Sequence, residues 1–210
     1  ARVAAERGHS VTLYEKKGSV GGLLEFANNV KGPHENLSVL RSYFERQMEV
    51  LGVNVMLNTE ATADIIAEAS PDIVIAATGG VRDTLGLSDT AGTKVVGIDD
   101  FMMADIAEEV VIVGSNVQAI DAAMYLLAQG KHVQVVTPNA ASAIGAGHSF
   151  WVKTFTQPNM KALGVRFWPE ATVTAVNDGS VTVKTATGIE QEIACGTVVE
   201  ALDCLPNDNL

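Results

Sequence analysis

Cysteine is scarce in this chain: 210 residues hold only Cys195 and Cys204. They form no C-x-x-C redox pair, no disulfide framework and no metal-ligand spacing. Both are expected to be partly buried thiols in a reducing compartment, consistent with a cytoplasmic protein. His9, His34, His132 and His148 are scattered, and no metal site or histidine-based catalysis is expected from them. Positive charge is also short. Lys and Arg number 14 against 25 Asp and Glu, a net charge of -11, which disfavours nucleic acid or an anionic membrane as partner. No apolar run reaches the ~18 residues of a membrane span, and no signal-peptide pattern opens the chain. What remains, 47% hydrophobic and 19% charged, fits a globular α/β chain with room for one large or two small domains.

The chain does contain a repeat. Arg7-Gly8-His9-Ser10-Val11-Thr12-Leu13-Tyr14-Glu15 reads as a helix end, a glycine cap and an apolar strand closed by an acid. Gln129-Gly130-Lys131-His132-Val133-Gln134-Val135-Val136-Thr137 repeats the pattern, shifted by 122 positions (129 against 7). Before the second copy, residues 109–121 supply a whole strand, turn and helix start. Before the first copy stand six residues, so the first module is expected to be truncated at its N-terminus. Asp72–Gly79 likewise matches Gly196–Asp203, shifted by 124 (196 against 72), and both are expected to be final strands running into a turn.

Strands alternating with helices argue for parallel sheets covered by helices. The pattern predicts a helix end over residues 1–8 and strands at 11–14, 53–57 and 73–77. It predicts helices at 36–51, with Leu37, Leu40, Phe44, Met48 and Leu51 at helical spacing, and at 62–69. Residues 81–108 read as an irregular crossing. Strand 110–113, helix 117–129, strand 133–136, a loop at 139–147, a helix near 150–163 and strand 165–168 follow. An antiparallel set at 171–176, 180–185 and 190–193 closes the second module, with turns at Asn177-Asp178-Gly179 and Thr187-Gly188. Trp151 and Trp168 are expected to be packing residues, and His148-Ser149 shows no acidic partner for a triad.

Glu15 ends the second strand of a βαβ unit, where a carboxylate can accept hydrogen bonds from both hydroxyls of an adenosine ribose. The alternative is a solvated acid at a strand end; Gly21-Gly22-Leu23 six residues on favours the ligand. Glycines there let backbone approach a planar or phosphate-bearing group, where an ordinary turn is the alternative. Ala77-Thr78-Gly79-Gly80 closes an apolar strand with small residues that can press against phosphates, or simply leaves the strand. Gly114-Ser115-Asn116-Val117-Gln118-Ala119 departs from G-x-G-x-x-G/A at its middle position. There glycine lets the backbone touch a pyrophosphate, and Asn116 brings a side chain. Thr137 stands where Glu15 stands in the first module. The acid that favours NAD is therefore missing, and no Arg lies in 137–147 to receive a 2′-phosphate; Lys131 and Lys153 are poorly placed.

V-T-L-Y-E-K at 11–16, G-G-L-L-E-F-A at 21–27, A-A-T-G-G at 76–80, V-V-I-V-G-S-N at 110–116 and L-P-N-D-N-L at 205–210 together resemble the C-terminal half of the NADH:flavin oxidoreductases. These are old yellow enzyme-like relatives of 2,4-dienoyl-CoA reductase, trimethylamine dehydrogenase and the 2-enoate reductases. The resemblance covers essentially the whole chain and implies two Rossmann-like, three-layer modules. They would span 1–85 (FAD or ADP) and 86–200 (NAD(P)-like), with 201–210 returning to the first. It places Glu15 and Lys16 at the adenosine ribose, Gly21, Gly22 and Leu23 toward the flavin, and Glu60-Ala61 at the adenine. Thr78, Gly79 and Gly80 would border the dinucleotide, and Gly114, Asn116 and Ala119 would form the second phosphate turn. The implied activity is hydride transfer from NAD(P)H to FAD. Electrons would then pass to an N-terminal barrel carrying FMN and a 4Fe-4S cluster, which reduces an enoyl- or dienoyl-type substrate. No catalytic acid or base is required in this part. Asn116, Thr137 and Asp203, where the family usually has Gly, depart from the pattern. They support an alternative seen in trimethylamine dehydrogenase-like members, a non-catalytic domain that holds ADP or another nucleotide. A thioredoxin reductase-like enzyme is disfavoured by the missing C-x-x-C.

Overall fold

The computed structural model describes residues 1–32 and 35–207. His34 and the last three residues of L-P-N-D-N-L lie outside the described residues. The chain divides into two units, Ala1–Gly80 with Pro206–Leu210, and Val81–Leu205.

In the first unit, β1 (Thr12–Tyr14) pairs in parallel with β2 (Asn54–Met56), in the register Leu13 to Val55. Around them lie α1 (Arg2–Glu6), α2 (Leu23–Lys31), α3 (Leu37–Val50) and α4 (Ala63–Ala69). Helix α4 starts at Thr62, whose Oγ1 accepts a hydrogen bond from Ile65 N at 3.3 Å, as an N-cap should. The core here is thin: of the described residues only Met48 and Val53 are buried hydrophobics.

The predicted strand at 73–77 does not form. The stretch has no ladder, and Ile73 and Ile75 are about three-quarters exposed (76% and 75%). Its counterpart in the repeat does form a strand because it has neighbours on both sides. A strand is held by its partners more than by its own residues.

The second unit begins with β3 (Gly80–Arg82), which pairs with β12 (Cys204–Pro206), and β4 (Lys94–Gly97). Both β3 and β4 fall where an irregular crossing was expected. Then come β5 (Glu109–Val113), α5 (Val117–Ala128), β6 (His132–Val136), α6 (Phe150–Ala162) and β7 (Arg166–Trp168). The antiparallel set is β8 (Ala171–Asn177), β9 (Ser180–Thr185) and β10 (Glu190–Ala194), followed by β11 (Thr197–Glu200). Strands β4, β11, β5, β6 and β7 lie side by side in that order, all parallel.

The sequence of β5, Glu-Val-Val-Ile-Val, is apolar on both faces because both faces are covered. Val111 and Val113 pack with Val173, Val181, Val183 and Ile193 of the antiparallel sheet, and α5 packs over β5 and β6. Trp168 is half-buried, and its Nε1–H donates to Gln134 Oε1 at 2.9 Å. Trp151 is instead 68% exposed at the start of α6, so it is not a packing residue. Cys195 is buried as expected, while Cys204 is exposed.

Candidate functional site

Two places in the fold gather the residues singled out above, one in each unit. In the first, β1 ends in Glu15, which is half-buried. Its backbone is fixed on both sides: Glu15 N donates to Met56 O, and Thr59 N donates to Glu15 O at 3.0 Å. The second bond brings the segment that leads to Glu60 and Ala61 alongside Glu15. Glu15 Oε1 accepts from Lys17 N at 2.8 Å, and this turn directs the carboxylate. Lys16 and Glu60 are exposed and Ala61 is half-buried.

Gly21 and Gly22 both have positive φ, +125° and +49°, which favours glycine over residues with a Cβ. They lead into α2, whose N-terminus has no side-chain cap. A Cβ on Gly21 would come within 3.0 Å of Arg41 Cδ, so the glycine turn lies directly on the Arg41 stem. Leu23 is 61% exposed. Among the described residues Arg41 Nε is buried without a hydrogen-bond partner, and its ion pair with Glu45 Oε1 is long, at 3.7 Å. A buried donor of a guanidinium left without an acceptor is costly and suits a site meant for an anion. Leu24, Glu25, Asn28, Ser38 and Arg41 line a cleft between α2 and α3.

Arg41 was not among the residues read from the sequence. The available signal was its place on the apolar stripe of α3, where Leu37, Phe44 and Met48 lie four, three and seven positions away.

Thr78 and Gly79 meet Asn207: Thr78 Oγ1 donates to Asn207 O at 2.5 Å, and Asn207 N donates to Gly79 O at 3.1 Å. Gly80 opens β3 and is exposed.

In the second unit, β5 runs through the turn Gly114–Asn116 into α5. Gly114 has φ +140°, and a Cβ there would sit 2.2 Å from Ala201 O, so only glycine fits. Asn116 Oδ1 caps α5 by accepting from Ala119 N at 3.0 Å. Its Nδ2 donates to Ala201 O at 3.0 Å, Leu202 O at 3.3 Å and Asp203 Oδ1 at 3.2 Å. Ser115 O accepts from Gly145 N at 2.6 Å, and Ser115 Oγ accepts from Asn139 Nδ2 at 2.9 Å. The structure thus brings Gly114, Asn116 and Ala119 together. It also adds Asp203, Asn139 and the 145–146 loop.

Thr137 is fully buried and its Oγ1 accepts from Asn139 N, so it does not replace the ribose acid. Lys131 and Lys153 donate to Ile106 O and Ser142 O, each at 2.8 Å, rather than standing open for a 2′-phosphate. His148 does have an acidic neighbour, contrary to the sequence reading. Its Nε2 lies 3.5 Å from Asp121 Oδ1, with both side chains largely buried. His9 is exposed. His132 is exposed beside Glu109, which raises the imidazole pKa by hydrogen bond and charge. Among the described residues no cluster of His, Cys, Asp and Glu could hold a metal, and no helix is long and apolar enough to cross a membrane.

Residues 70–200 match the family described as pyridine nucleotide-disulphide oxidoreductase. Cinnamate reductase of Clostridium sporogenes is 36% identical over 138 residues, covering 65% of this chain and 20% of that protein. Bilirubin reductase of Mediterraneibacter gnavus is 29% identical over 212 residues, covering 99% of this chain and 32% of that protein. Among solved structures, 2-naphthoyl-CoA reductase with 2-naphthoyl-CoA superposes over all of this chain and 32% of its own, at TM-score 0.86 and 31% identity. The chain therefore spans between a fifth and a third of the length of these relatives.

Proposed function

The chain belongs to the pyridine nucleotide-disulphide oxidoreductase family, and from that footing we propose that it is the electron-entry part of a longer NAD(P)H-dependent flavin oxidoreductase. In this reading the first unit holds FAD and the second receives NAD(P)H. Electrons pass on to an N-terminal barrel bearing FMN and a 4Fe-4S cluster, where an enoyl- or dienoyl-type substrate is reduced. The disulphide part of the family description finds no counterpart here, since Cys195 and Cys204 are both free and form no C-x-x-C.

The observation that carries the reading is the pairing of a ribose-type acid with an anion-type cradle in one unit. Glu15 is held by its backbone at the end of a parallel strand. The glycine turn at 21–22 lies against Arg41, whose buried Nε lacks an acceptor. These residues fit the two polar ends of an ADP moiety, ribose hydroxyls and diphosphate. Lys16, Leu23, Ala61, Thr78, Gly79 and Gly80 would line the remainder.

FAD, when bound, would supply the acceptor for a hydride, two electrons and one proton, leaving NAD(P)+; a second proton comes from solvent. The chain's own part is to bind, orient and exclude water, and no side chain need exchange a proton.

The test is flavin content in the protein that carries this chain. Glu15→Gln and Arg41→Met should each lower FAD occupancy after purification about fivefold or more, since each removes a charge-assisted contact of roughly 1–3 kcal/mol. Full occupancy in both variants would overturn the assignment. Anaerobic mixing with NADH and NADPH then reads bleaching of the visible flavin band directly. A second reading, a nucleotide-holding domain without hydride transfer, is favoured by the Asn116 bonds to Ala201, Leu202 and Asp203. It predicts FAD or ADP in the first unit and no bleaching.

A further inference from the structure

We infer that Asn116 and Asp203 form a latch across the phosphate turn of the second unit, holding that turn in a state of low affinity for the diphosphate of a pyridine nucleotide. This rests on the second unit being the NAD(P)H site, and concerns what decides admission to it.

The order β4, β11, β5, β6, β7 puts the switch point of the parallel sheet between β5 and β11, and ligands of such sheets lie beyond the strand ends there. That crevice is bounded by Gly114 on one side and Ala201–Asp203 on the other, which nearly touch, as the 2.2 Å Cβ approach at Gly114 shows. The Asn116 side chain spans it. Oδ1 takes Ala119 N, a donor that an open turn would offer to a phosphate. Nδ2 ties the turn to the exit of β11 through two carbonyls and the Asp203 carboxylate. On the far side the 145–146 loop is bonded to the turn through Ser115 O, and Asn116 bridges Ala146.

Two effects follow. A diphosphate can reach the turn only when Asn116 swings away, leaving Ala119 N to the phosphate and the three acceptors without their donor. Asp203 would then face the incoming anion as a like charge at close range. Both oppose binding, and the second acts on NADH and NADPH alike because both carry the diphosphate.

The measurement is the Kd of NADH and of NADPH for the protein carrying this chain and for Asp203→Asn, Asp203→Gly and Asn116→Gly. FAD content and urea midpoint serve as controls for the first unit and for folding. Asp203→Asn keeps a hydrogen-bonding side chain and removes the charge. It should tighten both nucleotides roughly fivefold, the size of one like charge some 4 Å away in water. The gain should shrink as salt is raised. Asn116→Gly should tighten them as well, at some cost in urea midpoint from the lost cap. If the unsubstituted protein binds as tightly as every variant, the latch is overturned and the NAD(P)H reading stands. If only the variants bind, the latch stands and hydride entry by this route in the natural protein falls. If no variant binds, both fall.

Discussion

Cys195 shows how burial turns one side chain into a pH sensor of folding. Its thiol lies with Val111, Val181 and Val198 where the parallel and antiparallel sheets of the second unit pack together. Burial raises its pKa from 9.0 to about 11, opposed in part by hydrogen bonds with the backbone of Val111 and Thr197. The folded state thus keeps the proton longer than the unfolded state does. Stability from this group is complete below about pH 9 and is lost as pH rises from 9 toward 11, where the unfolded chain ionises first. The urea midpoint should fall across that interval, and Cys195→Ala should flatten the fall. An unchanged slope in the variant would show that another group is responsible. A thiol reagent should label exposed Cys204 in the native protein and reach Cys195 only in denaturant. At this scale the strand end at Glu15 and the turn at Gly114–Asn116 were legible because strand exits and helix starts have a local grammar. The approach of Arg41 to the Gly21 turn was not, because it depends on a glycine turn twenty positions earlier folding back against it (41 against 21).

At the scale of the element, Asp72–Gly79 and Gly196–Asp203 are the instructive pair. Their sequences match, yet β11 is a central strand between β4 and β5, while 73–77 carries no ladder. Amide hydrogen exchange should separate them. Val198 and Val199 should exchange at least about a hundredfold more slowly than Ile73 and Val74, since protection follows buried, laddered hydrogen bonds. Equal protection would mean that 73–77 has found a partner strand in solution. All the helices but α2 were read from sequence. Their apolar spacing and end signals, such as Gly52 after α3 (φ +68°), are local physics, while the Asn116 cap of α5 came from the structure. Strand β4 was missed because Lys94–Gly97 is short and set among glycine and aspartate. It is a strand through its register with β11, Lys94 opposite Thr197. Helix α2 was missed too; its nine residues follow the Gly21-Gly22 pair, whose pattern points to a backbone approach to a ligand and carries no helix signal.

At the scale of the whole molecule, the two units have unequal cores. Met48 and Val53 are the buried hydrophobics described in the first, while the second buries both faces of a five-stranded sheet. Hydrophobic burial is the main favourable term in folding, so the first unit should unfold at lower urea. Trp151 and Trp168 both lie in the second unit, while α1, α2, α3 and α4 lie in the first. Part of the helical circular dichroism, that of α1 to α4, should therefore be lost before tryptophan fluorescence changes, and coincident curves would contradict unequal units. On the proposed reading of the first unit, ADP or FAD at about 100 times its Kd should raise the first transition alone, by about 2.7 kcal/mol. The sequence by itself determined the α/β class, the repeat, the helix ends and the two turns, because periodicity, caps and glycine positions act over a few residues. Only the tertiary structure decided which apolar stretches became strands, that Arg41 meets the Gly21 turn, and that Asn116 reaches Asp203. Those outcomes depend on hydrogen-bond partners and close approaches between residues far apart in the chain, which no local pattern encodes.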